Sequence, residues 1–128
     1  MRSLRTPLGR VRGLGSAKEG VGHWWGQRLS GLALVPLTLW FVISVIGLIG
    51  ADYATFSAWL GTPGNATMML LLVFVVFYHA QLGLQVVIED YVHNEGAKMA
   101  SLIAIKFATV ALGVFCAVSI LKLVAFGG

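Results

Sequence analysis

The chain has 128 residues, 58% of them hydrophobic and only 11% charged, with a mean hydropathy of +0.86. A soluble domain usually carries about 25% charged residues, so the composition excludes an ordinary water-soluble domain and points to a membrane. Topology accounts for the net charge of +4, and no nucleic-acid partner is expected.

Residues 1–29 form a basic arm, with Arg2, Arg5, Arg10, Arg12, Lys18 and Arg28 set against Glu19. The arm contains Gly9, Gly13, Gly15, Gly20 and Gly22 and has no apolar periodicity. It is expected to be extended and to order against a partner. A targeting peptide is the competing reading, because the first 18 residues are basic and lack an acid; scarce serine and the missing amphipathic face count against it. His23, Trp24 and Trp25 precede the first apolar run and suit an interfacial belt.

Three apolar stretches follow, at about residues 30–50, 66–88 and 102–126, each near the roughly 20 residues a membrane helix needs. The expected fold is an all-α membrane protein whose residues 30–128 form one three-helix domain. Pro36 falls in the second turn of the first span and is expected to bend it slightly. Asp52–Leu60 reads as a short helix in the interface, and Thr62-Pro63-Gly64-Asn65 breaks the chain before the second span. The connection 51–65 has no Lys or Arg, whereas 89–101 has Lys98. Because Lys and Arg are retained inside, the N-terminus and second connection are expected on the cytoplasmic (or matrix) side, with the C-terminus opposite. Cys116 stands alone, forms no intrachain disulfide and reads as a packing residue.

The second span carries the chemistry. At about 100° per residue, His79, Gly83, Val86 and Asp90 share a face. Asp90 lies roughly 16 Å along the axis from His79. That face combines a deep imidazole, a residue without a side chain that a flat ligand could approach closely, and a carboxylate at the membrane edge. His79 has three readings: a hydrogen-bonded core histidine, a haem ligand or a proton relay. A bis-histidine haem would need a second imidazole from another chain. Asp90 and Tyr91 sit at the level of a quinone headgroup, where a hydroxyl can donate and a carboxylate can relay protons; ordinary helix-end polarity is the alternative. The two point at one ligand only if the helix loosens or ends there.

A second stripe, Tyr78, Gln81, Gln85 and Glu89, suggests packing on other helices, with Gln81 and Gln85 hydrogen-bonding between helices. Arg28 suits a carboxylate such as a haem propionate or serves as a positive anchor. Lys106, about a turn into the third span, is expected to snorkel. His93 lies beyond the second helix. No CxxC, HExxH or phosphate-binding loop is present, so a complete redox reaction by this chain alone is not expected.

The run from His79 to Val92, HAQLGLQVVIEDYV, resembles the second helix of the small hydrophobic membrane anchor of succinate dehydrogenase (complex II). The pattern is a His, a Gly about one turn on, and Asp-Tyr eleven and twelve residues after the His. GSAKEGVGHWWGQRLSGLALVPL is similar to the bacterial branch of that family, and the likeness covers about residues 15–126. It implies that His79 is an axial ligand to the iron of haem b, which is shared with a companion anchor subunit. It implies that Tyr91 hydrogen-bonds ubiquinone beside Asp90, and that Arg28 lies near the haem propionates. The implied partners are that second anchor, an iron–sulfur subunit and a flavoprotein, in a bacterial inner membrane rather than a mitochondrial one. An anchor working in the fumarate-reducing direction, a homodimeric b-type cytochrome and a cofactor-free assembly subunit are the alternatives.

Overall fold

The computed structural model describes residues 17–126, with side chains from residue 21 onward. Among them are four helices and no strand: α1 Ala17–Gly47, α2 Tyr53–Gly61, α3 Pro63–Tyr91 and α4 Glu95–Phe126. Helices α1, α3 and α4 are long and apolar enough to cross a membrane. The 29 residues of α3 reach about 43 Å, more than the roughly 30 Å of hydrocarbon. The ends of α3 therefore extend to headgroup depth.

The first helix corrects two expectations. The chain is helical from Ala17, so the extended arm does not continue to residue 29; residues 1–16, with Arg2, Arg5, Arg10 and Arg12, lie outside the described residues. Glycine in a helix costs about 1 kcal/mol relative to alanine, which is why Gly20 and Gly22 argue against a helix. Propagation from the apolar run is favourable, and Gly26 permits close packing: a Cβ there would lie 2.6 Å from Tyr78 Oη and 3.3 Å from Leu82 Cδ1. Pro36 consequently sits near the middle of α1, not in its second turn, and the helix is continuous through it. Proline has no N–H for the Leu32 carbonyl one turn back.

After α1 the chain turns through Leu48–Gly50. Gly50 takes φ +82, a left-handed conformation that favours glycine, and the Ala51 N–H closes the turn on the Leu48 carbonyl at 2.9 Å. The expected short helix is present as α2. Asp52 caps it by accepting a hydrogen bond from the Thr55 N–H at 2.8 Å. Pro63 then opens α3, where its missing N–H costs no helical bond. Asn65 ties this corner to α2 by donating to the Trp59 carbonyl at 2.9 Å. At the other end, Asn94 Oδ1 accepts from the Ala97 N–H at 2.9 Å. That cap starts α4 at Glu95, well before residue 102. Lys106 is thus about three turns into α4, not one.

Helix α3 is the middle of the molecule. It packs on α1 along one side and on α4 along the other, and among the described residues the α1 and α4 backbones do not approach each other. Both contacts are antiparallel: Ser30 meets His79, Gly26 meets Tyr78 and Leu82, and Gly113 meets Phe77. The start of α1, the end of α3 and the start of α4 therefore lie at one end. Helix α2 packs against α3 and α4 at the opposite end. There Leu60, at 2% exposure, is the most buried side chain, and Trp59 stacks on Trp40 of α1 with centroids 5.8 Å apart. Few apolar residues are buried, whereas Leu32, Ile43, Phe74, Phe107 and Phe115 are exposed. Such outward apolar faces are costly in water and unexceptional among lipid tails or partner helices.

Candidate functional site

The face of α3 that carries His79 looks at α1. The Ser30 hydroxyl lies 2.8 Å from His79 Nδ1 and 3.1 Å from the Gln27 carbonyl. Ser30 is buried at 6% exposure. The imidazole edge rests on the α1 backbone, since a Cβ at Gly31 would stand 3.5 Å from His79 Cε1. His79 Nε2 has no hydrogen-bond partner among the described residues.

Gly83 is one turn along the same face. A Cβ there would meet only Gln27 Nε2, at 3.8 Å, so the space beside Gly83 is shared with an α1 side chain. The buried Gln27 Oε1 and His23 Nε2 lack hydrogen-bond partners among the described residues. His23, now inside α1, shares the Ser30 face at about 100° per residue. It stands about two turns, roughly 10 Å along the axis, from Ser30.

Asp90 and Tyr91 form the last turn of α3, which ends at Tyr91 with an extended Val92 whose N–H bonds the Ile88 carbonyl. The helix ends just beyond them, but both residues are still helical, so their side chains leave the axis about 100° apart. Both are exposed, Tyr91 at 76%. Neither makes a side-chain hydrogen bond among the described residues. His93 is exposed in the short link beyond.

Arg28 is not brought to this face. It is about 160° from both Gly26 and Ser30 around α1, and its guanidinium lies 5.3 Å from the Trp24 ring centroid, within cation–π range. The second stripe divides. Gln81 meets Thr109 of α4 at 3.1 Å, an interhelical bond as expected. Gln85 instead donates to Glu89 of its own helix at 3.0 Å; near the end of α3 an exposed carboxylate one turn on is the nearer partner. A groove of about 440 Å³ lies between α3 and α4, lined by Leu70, Phe74, Phe77, Val110, Gly113 and Ala117 among others. It is apolar and lies on the α4 side, away from the His79–Ser30 contact.

Sequence reasoning misses Ser30 and Thr109. Each is a buried hydroxyl, and helical position alone does not reveal which side chain across the interface it meets.

A family model described as succinate dehydrogenase/fumarate reductase transmembrane subunit matches residues 2–113. The chain belongs to that family. Its relatives include the succinate dehydrogenase hydrophobic membrane anchor subunits of Paracoccus denitrificans, 35% identical over 86% of this chain and 87% of the relative, and Rickettsia bellii, 34% identical over 84% and 86%. The succinate dehydrogenase membrane anchor subunit of Reclinomonas americana is 30% identical over 70% and 77%. No solved structure matches. Within the family of membrane anchors, the three spanning-length helices of this chain are the anchoring part. Its His79 and Asp90-Tyr91 lie on the helix between the other two.

Proposed function

We propose that this chain is one of two anchors of a bacterial inner-membrane succinate:ubiquinone oxidoreductase. In this reading it supplies one axial ligand of haem b and part of the quinone-reduction site. The observation that carries the proposal is the His79 imidazole. One ring nitrogen is held by Ser30 at 2.8 Å, and the other is uncommitted within the described chain. Metal-bound histidines characteristically have their second nitrogen engaged in this way, so the residue fits an axial ligand.

When bound, haem supplies a one-electron centre within the membrane. His79 would hold it through Nε2. The matching ligand would come from the second anchor. An iron–sulfur subunit and a flavoprotein would supply the electrons. Arg28, on another face of α1, is suited to a propionate only if the haem edge lies on that side; Gly83 lies on the His79 face but borders Gln27.

At the end of α3, Tyr91 would donate its hydroxyl proton in a hydrogen bond to a quinone carbonyl. Asp90, beside it and in reach of water, would orient the headgroup or pass protons inward. Complete reduction takes two electrons from the partners and two protons from the aqueous side. By the distribution of Lys and Arg, this end of the bundle faces the cytoplasm. The relatives' designation as succinate dehydrogenase subunits supports the succinate-oxidising direction.

The test is His79→Ala in the purified complex. Loss of the b-type spectrum with the partner subunits still present is the expected result. An unchanged spectrum would remove His79 from the iron.

A further inference from the structure

We propose that Ser30 is a positioning residue that sets the tautomer of His79, holding the proton on Nδ1 and leaving the Nε2 lone pair for iron. The proposal rests on the reading of His79 as a haem ligand.

A serine hydroxyl has one proton and two acceptor lone pairs. Ser30 Oγ is near two groups, the Gln27 carbonyl at 3.1 Å and His79 Nδ1 at 2.8 Å. The carbonyl can only accept; it already takes the helical bond from the Gly31 N–H, and the serine proton gives it a second one. The imidazole must then donate: Nδ1–H to Ser30 Oγ, and Ser30 Oγ–H to Gln27 O. This arrangement makes both hydrogen bonds. In the opposite tautomer Ser30 donates to Nδ1, the contact with Gln27 is lost, and Nε2 carries a proton that blocks ligation. Burial of Ser30 at 6% exposure limits water as a substitute partner, so the pairing that makes both side-chain hydrogen bonds is favoured over the one that makes a single bond. The contact with Gly31 keeps the ring against α1, so the serine and the ring edge are held together.

An acceptor on Nδ1–H makes the imidazole a more basic ligand, which favours ferric over ferrous iron. Removing it should raise the haem midpoint potential. A tenfold loss of ferric preference would read as about 59 mV for this one-electron couple.

The experiment is a potentiometric titration of haem in the intact complex for wild type, Ser30→Ala and Ser30→Thr, with His79→Ala alongside. The proposal predicts a raised potential in Ser30→Ala and a near-wild-type potential in Ser30→Thr, which keeps the hydroxyl. Equal shifts in both variants, or no shift in either, would overturn it while leaving ligation intact if His79→Ala loses haem. Haem unchanged in His79→Ala would instead remove the ligation reading and this proposal with it. Should Ser30→Ala fail to assemble, nitrogen NMR of the haem-depleted wild-type complex with isotope-labelled histidine reads the tautomer: a protonated Nδ1 on His79 supports the proposal, and a protonated Nε2 overturns it.

Discussion

Replacing Tyr91 by Phe removes one hydroxyl and little else. Tyr91 is 76% exposed at the end of α3, and its hydroxyl has no hydrogen-bond partner among the described residues. The expected change in stability is therefore within about 0.5 kcal/mol, as for surface substitutions away from special features. The expected change in function is larger. A quinone carbonyl that loses its donor while held by protein costs about 1–3 kcal/mol. The exposed end of α3 favours the lower half of that range, because water can partly replace the hydroxyl. At 1.36 kcal/mol per tenfold, a cost of about 1–2 kcal/mol lowers kcat/KM for quinone roughly 5- to 30-fold. The assay compares succinate oxidation with a ubiquinone analogue and with a soluble dye that accepts electrons upstream of the membrane site. Tyr91→Phe should slow the first and spare the second. Equal loss in both, or a quinone rate that does not change, would refute the assigned role.

Three further outcomes follow from the packing. Thr109→Val and Gln81→Leu should couple in a double-mutant cycle of complex stability by about 0.6 kcal/mol, the average for interhelical bonds in membranes; the shared Thr109 proton, 2.7 Å from the Ile105 carbonyl, argues against a larger value, and strict additivity would show that the contact contributes nothing. Gly26→Val should push Tyr78 and α1 apart and lower haem content, whereas Gly22→Val, where a Cβ meets nothing within 4 Å, should not; equal haem content in the two would deny close α1–α3 packing. Hydrogen bonds from Thr55, side chain first and then backbone, hold the Asp52 carboxyl below its ordinary value of 3.8. A depressed carboxylate stabilises above its unfolded pKa, and the contribution is lost as pH falls through the lower folded value. Hydrogen-exchange protection at the Thr55 amide should therefore fall below about pH 3.8, and Asp52→Asn should abolish that step while keeping the cap; a step that persists in Asp52→Asn would assign it to another group.

The three spans are legible because their apolar runs are long, and bilayer thickness leaves few alternatives for them. The ends are less legible. Glycines hide the first turns of α1, since their intrinsic cost is visible in sequence whereas the close contact that Gly26 permits with Tyr78 is not. The cap by Asn94 lies in a polar stretch that hydropathy alone assigns to a loop, and it moves the start of α4 and the depth of Lys106. The shared face of His79, Gly83 and Asp90 follows from helical spacing. The identity of the opposing helix does not, so Ser30 and the Gln27 side chain beside Gly83 go unnoticed. Arg28 can be placed at the right end of α1 but not around it, because the orientation of a helix depends on what it packs against. Gln81 and Gln85 have one chemistry and different depths along α3, and that difference decides between a partner on α4 and a carboxylate nearby.

The most direct test of a haem shared between two anchors is a dithionite-reduced-minus-oxidised spectrum of the complex purified through this chain, with the co-purifying subunits identified by mass. A b-type haem signal is expected, together with a second anchor, an iron–sulfur subunit and a flavoprotein. Haem in a preparation containing only copies of this chain, or no haem in a complete complex, would contradict it.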